Sequence, residues 1–480
     1  MEATGRKQII VDTDYIDESN LVAVLRESLI THMKNKIEIE YLYDYYRGRT
    51  PIRKKTKEIR PTINFKINEN RAAEIVNFKL GYCFGEPIQY IRRGSDETLT
   101  DDIDELNNIM FNAGKETHDN RLAEWMYVAG TAYRMILPAE DEEEDIDIYT
   151  LDPRYAFVVR SNDLARTPLM AVTYIVKKNR DKTFYIYTKD RFYEVNNEKI
   201  VKSTPHMLGR IPIIEYPLND ARQGAFEIVL DLLDALNSIE SNRLDDIVQT
   251  VNSFLALMGG ALDEETIDKL EEYKILALPE GVDAKYLSDS MKQADVQVLV
   301  DSLYDTILTI CSMPNRNGGS STSDTGAAVI MRDGWSNAEA DAKSTELMFK
   351  GSEREFLKIA LEILKIKGKV SLTIKEILIK FSRRNYEAIA TKSTVLTQLL
   401  SNNKIHPELA FTACGLFVDP EAAYLQSMEY FEEVKKENER NQMSQMQQAP
   451  GEGEDDKNSN DRDKVPKVQD DSDEDDKDKY

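Results

Sequence analysis

The sequence predicts a mainly helical protein that also contains one α+β portion, and three patterns lead to this prediction. Several segments of more than twenty residues place apolar side chains at helical spacing, and the region 130–215 alternates apolar and polar side chains. The last thirty residues contain almost no apolar side chain. Helical spacing indicates amphipathic helices, alternation indicates half-buried strands, and so polar a segment cannot form a core.

Charge and cysteine content exclude several classes of protein. The chain has 62 Lys and Arg against 86 Asp and Glu, which gives a net charge of −24. Because neutralisation of phosphates drives nucleic-acid binding, the average surface should not hold DNA or RNA. Three scattered cysteines indicate a reducing compartment. We expect neither a signal peptide nor a membrane span, since no run approaches about 18 apolar residues.

The portion 1–224 is predicted to combine helices with antiparallel strands. Apolar spacing predicts helices at 20–46, 68–83, 101–113 and 119–128, and a short strand at 88–91. Between 130 and 215, six runs rich in β-branched and aromatic residues predict strands, and IPIIEYP at 211–217 ends this part.

A long helix is predicted at 225–258, because this segment contains neither Pro nor Gly. Thirty-four helical residues would extend about 51 Å. Its apolar stripe needs a partner, and the nearest is the apolar segment 293–313, which would run antiparallel and end at Pro314. Neighbouring copies of the chain would cover the remaining flanks, so a ring is one natural solution. The predicted seam residues are Leu233, Leu236, Ile247, Val251, Leu303 and Ile307.

The opposite face of this helix is acidic. Its predicted exposed residues are Asp231, Asp234, Ser238, Asp245 and Gln249. If helices from many copies line a channel, this face makes a negative tube that repels phosphates and lets a DNA duplex slide. The alternative is the solvated outer face of an ordinary long helix, which is the simpler interpretation on charge alone.

The remaining segments are predicted from composition. NRNGGSSTSDTG, at 315–326, is a flexible loop in composition, and a third long helix at 335–367 should be interrupted near Gly351. A strand within 370–384 and short helices should follow. The tail from 441 should be disordered, with 13 acids and 6 bases in the last thirty residues. This tail could guard against non-specific nucleic-acid binding, recruit a basic partner, or only solubilise the chain.

Four motifs, spread in order over most of the chain, resemble the portal proteins of tailed bacteriophages. The resemblance is strongest to the branch found in long-tailed phages of Gram-positive bacteria. The motifs are YYRGRTPI at 45–52, GYCFGEPI at 81–88, GRIPIIEYPLND at 209–220 and DPEAAYLQSMEYFEE at 419–433.

The resemblance implies a non-enzymatic ring, usually of twelve subunits, at one vertex of the capsid. Double-stranded DNA would enter through the ring during packaging and leave at ejection. The implied partners are further copies of the chain, the terminase large subunit, a head-completion or tail adaptor protein, and the major capsid and scaffolding proteins. The protein would be part of the virion, assembled in the host cytoplasm, without contact with a membrane.

The resemblance also implies a portal-type architecture with long stem helices, a small α/β clip, a helical crown and a disordered acidic tail. Residues 1–224 and 335–380 would form the wing, 225–259 and 293–314 the stem helices, 260–292 the clip, 315–334 the tunnel-loop region, 381–440 the crown and 441–480 the tail. The residues expected to face DNA in the tunnel are Arg316, Asn317, Ser320 and Ser321.

No catalytic residue, cofactor or metal is predicted, because the phosphate-loop, dinucleotide and nucleophile-elbow motifs are missing. The acids of 140–147 are better explained as a hairpin turn than as a calcium loop. The basic run 45–60 has seven bases and one acid. It could contact nucleic acid, but a patch that meets acidic neighbouring subunits is favoured. A cytosolic helical scaffold and an unrecognised nucleic-acid enzyme remain as alternative functions.

Overall fold

The structure is a computed structural model of the 480-residue chain. It describes residues 5–58, 61–93, 100–140, 144–251, 254–258, 283–287, 293–315, 334–383, 386–417 and 419–447. Within these ranges the α-helices are α1 (Leu21–Tyr46), α2 (Arg71–Phe84), α3 (Thr100–Asn112), α4 (Lys115–Ala129), α5 (Leu230–Val251), α6 (Gln293–Ile310), α7 (Trp335–Ile366), α8 (Tyr386–Leu400), α9 (Pro407–Cys414) and α10 (Pro420–Gln447). Two 3₁₀ helices occupy Pro51–Lys54 and Glu227–Val229.

The described strands form four separate sheets. They are β1 (Ile9–Val11), β2 (Gln89–Arg92), β3 (Thr131–Pro138), β4 (Ile146–Leu151), β5 (Ala156–Ser161), β6 (Pro168–Val176), β7 (Lys182–Tyr187), β8 (Arg191–Asn196), β9 (Lys199–Pro205), β10 (Ile213–Pro217), β11 (Phe254–Met258), β12 (Asp283–Leu287) and β13 (Ile377–Lys380). The largest sheet has the order β1-β5-β6-β7-β8-β9, and only the β1–β5 pair is parallel. The others are β10-β3-β4, β11-β12 and β13-β2, all antiparallel.

One face of the six-stranded sheet packs against α1. Leu21 and Leu25 of the helix share a buried cluster with Phe157, Val172 and Ile186 of the sheet. The strand residues alternate between buried and partly exposed positions, because successive side chains of a strand point to opposite faces. The α1 stripe and the alternating strands therefore form one two-layer unit.

A second and larger core surrounds the long helix α7. Phe349 and Phe356 of α7 are fully buried, together with residues of α2, α4 and the β10-β3-β4 sheet. Phe349 lies against Phe84 and Tyr216, with ring centroids 5.1 and 4.9 Å apart. The portions of the chain before and after the stem thus share a single core.

Four charged side chains are buried in the middle of this core. Glu353 of α7 and Arg134 of β3 have no exposed side-chain surface, and they pair at 3.1 Å. Lys115 of α4 lies 2.9 Å from Glu353 and 2.6 Å from Asp119, which also pairs with Arg134. Two cations and two anions therefore neutralise each other inside the protein.

Two tyrosines complete the hydrogen bonding of the buried glutamate. The hydroxyls of Tyr90 and Tyr216 donate to the two carboxylate oxygens of Glu353 at 2.6 and 2.7 Å. Burial alone would raise the pKa of Glu353, but Lys115 and Arg134 and the two tyrosines hold it at about 2. The carboxylate therefore stays ionised at neutral pH.

Most elements of the first 224 residues confirm their sequence prediction within a few residues. The strands β1 and β9 were not predicted, because β1 has only three residues and β9 is almost entirely exposed. Such strands carry little alternation of apolar side chains.

The predicted 34-residue helix is wrong. The segment forms a 3₁₀ turn, then a 22-residue helix that ends at Val251, and then strand β11. FLALM at 254–258 pairs antiparallel with β12, and the sequence between helix and strand is Asn252-Ser253. Asn and Ser compete with helical hydrogen bonds through their side chains, so they favour a break. The helix is therefore about 33 Å long rather than 51 Å.

Two boundaries near the C-terminus also differ from the prediction. Helix α7 continues through Gly351 without interruption. A helical Gly costs only about 1 kcal/mol relative to Ala, which the buried residues on either side can offset. Helix α10 extends to Gln447, past the predicted start of the tail at 441, and residues 448–480 lie outside the described part. None of the described helices is long and apolar enough to cross a bilayer.

We expect Glu353→Gln to lower the free energy of unfolding by about 3–5 kcal/mol at pH 7, because it leaves an uncompensated buried cation. The native pKa of Glu353 is lowered from 4.5 to about 2, so its contribution is complete above pH 4.5 and is lost as the pH falls to about 2. Urea unfolding from pH 7 to pH 3 measures this difference. The control Glu362→Gln, at an exposed position of α7, should change stability little. Equal loss in both variants would contradict the role of the cluster.

Candidate channel stem

Helices α5 and α6 pack side by side and run antiparallel, as predicted. At one end of the pair, the guanidinium of Arg243 donates hydrogen bonds to Gln293 and Gln297, both at 2.8 Å. At the other end, the thiol of Cys311, just beyond α6, lies 3.8 Å from the carbonyl oxygen of Ala225. The chain therefore leaves the larger core along α5 and returns to it along α6.

The helix pair is strongly acidic. Together α5 and α6 contain eight Asp or Glu residues, and Arg243 is their one basic residue. Asp231, Asp295 and Asp301 are exposed. An arrangement of several such pairs around an axis would carry a high density of negative charge.

Buried ion pairs anchor the start of the stem. Glu227, in the 3₁₀ turn before α5, pairs with Arg6 and accepts a hydrogen bond from the backbone amide of Gly224 at 2.8 Å. Arg6 also lies 3.0 Å from Glu38 of α1. The side chains of Arg6 and Glu227 are only 2% and 3% exposed. These contacts fix the start of α5 against the N-terminal segment and α1.

An irregular segment, residues 64–69, lies along one face of α5, and we call it the strap. Three of its backbone amides donate to side chains of α5 that are spaced four residues apart. The bonds join Phe65 to Asp245 at 2.7 Å, Ile67 to Ser241 at 2.9 Å and Glu69 to Asn237 at 3.1 Å. Two residues of extended chain rise about 6.6 Å and four helical residues about 6 Å, so the two spacings stay in step.

Two lysines of the basic run 45–60 pair with Asp245, the α5 residue that binds the first amide of the strap. Asp245 has no exposed side-chain surface, and the ammonium groups of Lys55 and Lys57 lie 2.7 and 2.9 Å from it. Burial alone would raise the pKa of Asp245, but hydrogen bonds from Lys55, the Phe65 amide and Lys57 bring the pKa below its usual value. For these two lysines, the predicted patch between subunits is wrong, since their acidic partner belongs to the same chain.

The channel-lining prediction is therefore wrong for two of its five residues. Asp245 is buried under the strap, and Asp234 is half-buried and accepts a 2.8 Å hydrogen bond from the Tyr45 hydroxyl. Burial raises the pKa of Asp234, with a smaller contribution from Asp231. Asp231 and Ser238 are exposed, and the side chain of Gln249 lies outside the described part. Helical periodicity alone could not show that another segment of the chain covers part of this face.

The seam prediction is wrong for the residues that pack inside one chain. Leu233, Leu236 and Ile307 are 2%, 1% and 0% exposed, so they belong to the core of the subunit. Leu303 is partly buried against the same core, whereas Ile247 is 43% exposed. The side chain of Val251 is not described.

Helix α6 also has exposed apolar residues that are not among the predicted seam residues. Val298, Leu299 and Ile310 are 70%, 50% and 43% exposed. The signal was present, because ten of the eighteen residues of α6 are apolar, which is more than one buried face requires.

Two further sets of predicted residues stay outside the description. The tunnel residues Arg316, Asn317, Ser320 and Ser321 lie outside the described ranges, as does most of the predicted clip. Within 260–292, the structure describes only β12, which pairs with β11 just before this range. No group of three or more potential metal ligands occurs among the described residues.

We expect Asp245→Asn to loosen the basic run and the strap, with a loss of about 1.5–3 kcal/mol, as for a hydrogen bond to a charged group. Trypsin should then cleave faster after Lys55 and Lys57, which mass spectrometry of timed digests would show. The pKa of Asp245 is lowered from 3.8 in the native state, so the stability difference should be full above about pH 4 and should shrink as the pH falls further, through the lower native pKa. The control Asp231→Asn, on an exposed turn of the same helix, should leave cleavage unchanged. Unchanged cleavage in both variants would rule out the strap contact.

Comparison with known proteins agrees with the resemblance seen in the sequence. Residues 27–444 match the family described as "Phage portal protein, SPP1 Gp6-like". The "Portal protein" of Bacillus phage SPP1 is 23% identical over 401 residues, which are 78% of this chain and 75% of that protein. Two solved structures, "Neck of empty GTA particle computed with C6 symmetry" and "Neck of native GTA particle computed with C12 symmetry", have TM-scores of 0.44 and 0.42. Each is 12% identical and covers 72% of this chain and 90% of its own. Because the family match spans most of its length, the chain belongs to the SPP1 Gp6-like family of phage portal proteins.

Proposed function

We propose that copies of this portal protein close into a ring, of twelve subunits as the family resemblance implies, at the unique vertex of the capsid. The ring is the channel for double-stranded DNA during packaging and ejection. It docks the terminase large subunit during packaging and then a head-completion or tail adaptor protein. The ring contacts the major capsid and scaffolding proteins during assembly in the host cytoplasm.

The acidity of the α5–α6 pair is the observation that carries the channel proposal. Five of the eight acids are exposed, and repeated around an axis they would give a wall of the same sign as DNA: Asp231, Asp246, Asp295, Asp301 and Asp305. Like charges within the screening length of about 8 Å repel, so a duplex can pass without binding tightly. Among the predicted channel residues, Asp231 and Ser238 are exposed and belong to this wall, and Gln249 is assigned to it from the sequence.

The proposed division of the chain follows the described elements. The two-layer unit of α1 and the six-stranded sheet, together with α2–α4 and α7, forms the wing. Helices α5 and α6 form the stem, the segment between them forms the clip, and α8–α10 form the crown. Members of the portal family are structural components of the virion, and we propose no catalytic activity for this chain.

Ring assembly should depend on Ile247 and Leu299, which are exposed apolar residues of the two stem helices. Ile247→Asp together with Leu299→Asp would place unpaired charges in a buried interface, so we expect loss of rings while the subunit stays folded. Negative-stain images and light-scattering masses measure assembly, and circular dichroism checks folding. Leu233→Asp is unsuitable, because Leu233 lies in the core of the subunit.

A matched control separates the interface from a general effect of added charge. Leu164→Asp introduces the same change at a fully exposed position of the wing, between β5 and β6. This variant should assemble as the original protein does. Normal rings from the double variant would overturn the proposed interface, and a uniformly monomeric original protein would overturn the ring.

Arg316 remains a sequence-based prediction for a DNA contact in the tunnel. One cation per subunit in a negative tube would make a ring of weak, screened contacts around the duplex. We expect Arg316→Glu to slow DNA packaging in vitro at low salt, with a smaller effect as salt rises, and to leave ring images unchanged. Packaging at the original rate at low salt would place Arg316 away from DNA.

A further inference from the structure

A basic surface on the wing stands out in this acidic protein. Residues 177–202, which form the hairpins from the end of β6 to β9, contain eight Lys or Arg residues and four Asp or Glu residues. The whole chain has a net charge of −24. Strand β9 is the edge of the sheet, and most of its residues are exposed. We call residues 177–202 the basic hairpins.

Most of the positive charge of the basic hairpins collects at one end of the sheet. The β6–β7 turn and the β8–β9 turn lie at the same end, because β6 to β9 are successive antiparallel strands. This end carries Lys177, Lys178, Arg180 and Lys199, all of them exposed. Within the described part of the chain, none of these four side chains forms an ion pair with a carboxylate.

One further lysine, Lys182, adds positive charge at this end, whereas the nearby Lys36 already pairs with Glu40 at 3.8 Å. The ammonium group of Lys36, from α1, lies 4.1 Å from the ring centre of Tyr155, and that of Lys182 lies 5.7 Å from the ring centre of Tyr174. Burial lowers the pKa of Lys36, and Glu40 opposes this shift. Of the two acids at this end, Glu198 pairs with Arg26 at 2.6 Å, and Asp181 accepts a hydrogen bond from Asn179 at 2.6 Å. A polyanion would therefore find several uncompensated cations close together.

We propose that the basic hairpins bind the acidic C-terminal segment of this chain, residues 451–480. That segment has 13 acids and 6 bases, and six of its acids fall within 470–476. It follows α10, which ends at Gln447, and 33 residues can span up to about 110 Å. Each contact is weak and screened by salt, but several contacts within one chain act together.

The proposed contact would give the acidic segment a protective role. A cluster of exposed cations binds DNA phosphates without sequence preference, which would hinder a protein that must let DNA pass. A tethered polyanion on the basic hairpins competes with DNA for the same cations. The inference concerns a single chain, so its failure would leave the proposed ring untouched.

Carbodiimide crosslinking of the full-length protein tests the contact directly, because this reagent joins an amine to a carboxylate only when they touch. Lys177, Lys178 and Lys199 should couple to acids of 470–478 at low salt. The exposed lysines Lys343, Lys365 and Lys404, in other parts of the chain, serve as matched controls. We expect at least about a threefold excess over the controls, falling toward equality near 0.5 M salt as the charges are screened.

A second experiment tests the protective role by DNA binding. Neutralising the six acids of 470–476 to Asn or Gln should strengthen binding of a short DNA duplex, measured by fluorescence anisotropy at low salt. Adding Lys177→Glu, Lys178→Glu and Lys199→Glu should abolish this gain. Adding Lys343→Glu, Lys365→Glu and Lys404→Glu instead should leave most of it.

Three outcomes would overturn the proposal. Equal crosslinking at the control lysines would mean that the acidic segment only solubilises the chain. Unchanged DNA binding after neutralisation of 470–476 would mean that it does not shield the hairpins. The third outcome has two parts. The three Lys→Glu changes in the hairpins would abolish DNA binding of the otherwise original protein, and neutralising the acids of 470–476 would not strengthen it. The hairpins would then be a nucleic-acid site instead.

Discussion

The buried pairing of Glu353 with Arg134 and Lys115 is the interaction on which the rest of this portal subunit depends. It joins α4, β3 and α7 directly, and through two tyrosines it also reaches β2 and β10. Glu353 lies more than 200 residues along the chain from Arg134. A buried charge without its partner costs several kcal/mol, so any packing of these elements that separates the charges is strongly disfavoured. The cluster therefore specifies how the portions of the chain before and after the α5–α6 pair fit together.

Contacts with the rest of the chain fix where α5 begins and which segments cover it. Arg6 and Glu227 fix the first turn, the strap fixes the middle, and α6 returns beside α5. Acids that looked interchangeable in the sequence thus have different tasks. Asp245 and Glu227 hold the chain together, while Asp231, Asp295 and Asp301 are exposed and make the surface of the α5–α6 pair acidic.

Local patterns were enough to predict most of the elements but not their partners. The helices α1 to α4 and the strands β3 to β8 follow from apolar periodicity, because each carries its own stripe or alternation. FLALM at 254–258 was misjudged, since an apolar run suits a helix or a strand equally and only pairing with β12 decides. Asp234 and Asp245 were misjudged for a related reason, because their partners lie about 190 positions earlier in the sequence. Family membership was predictable, since it rests on motifs read directly from the chain.

The strap has a consequence for how this protein can vary in length. The three hydrogen bonds donated by its backbone amides form only while two residues of the strap span the same distance as four residues of α5. One residue inserted between positions 65 and 69, or within 237–245, would break this match and leave Asp245 or Asn237 facing the wrong group. Insertions should therefore be tolerated in the hairpin turns of the six-stranded sheet, where the strands end in solvent. They should not be tolerated in the strap or in residues 237–245 of α5. In relatives of this chain, the lengths of the strap and of the helix beneath it should change together or not at all.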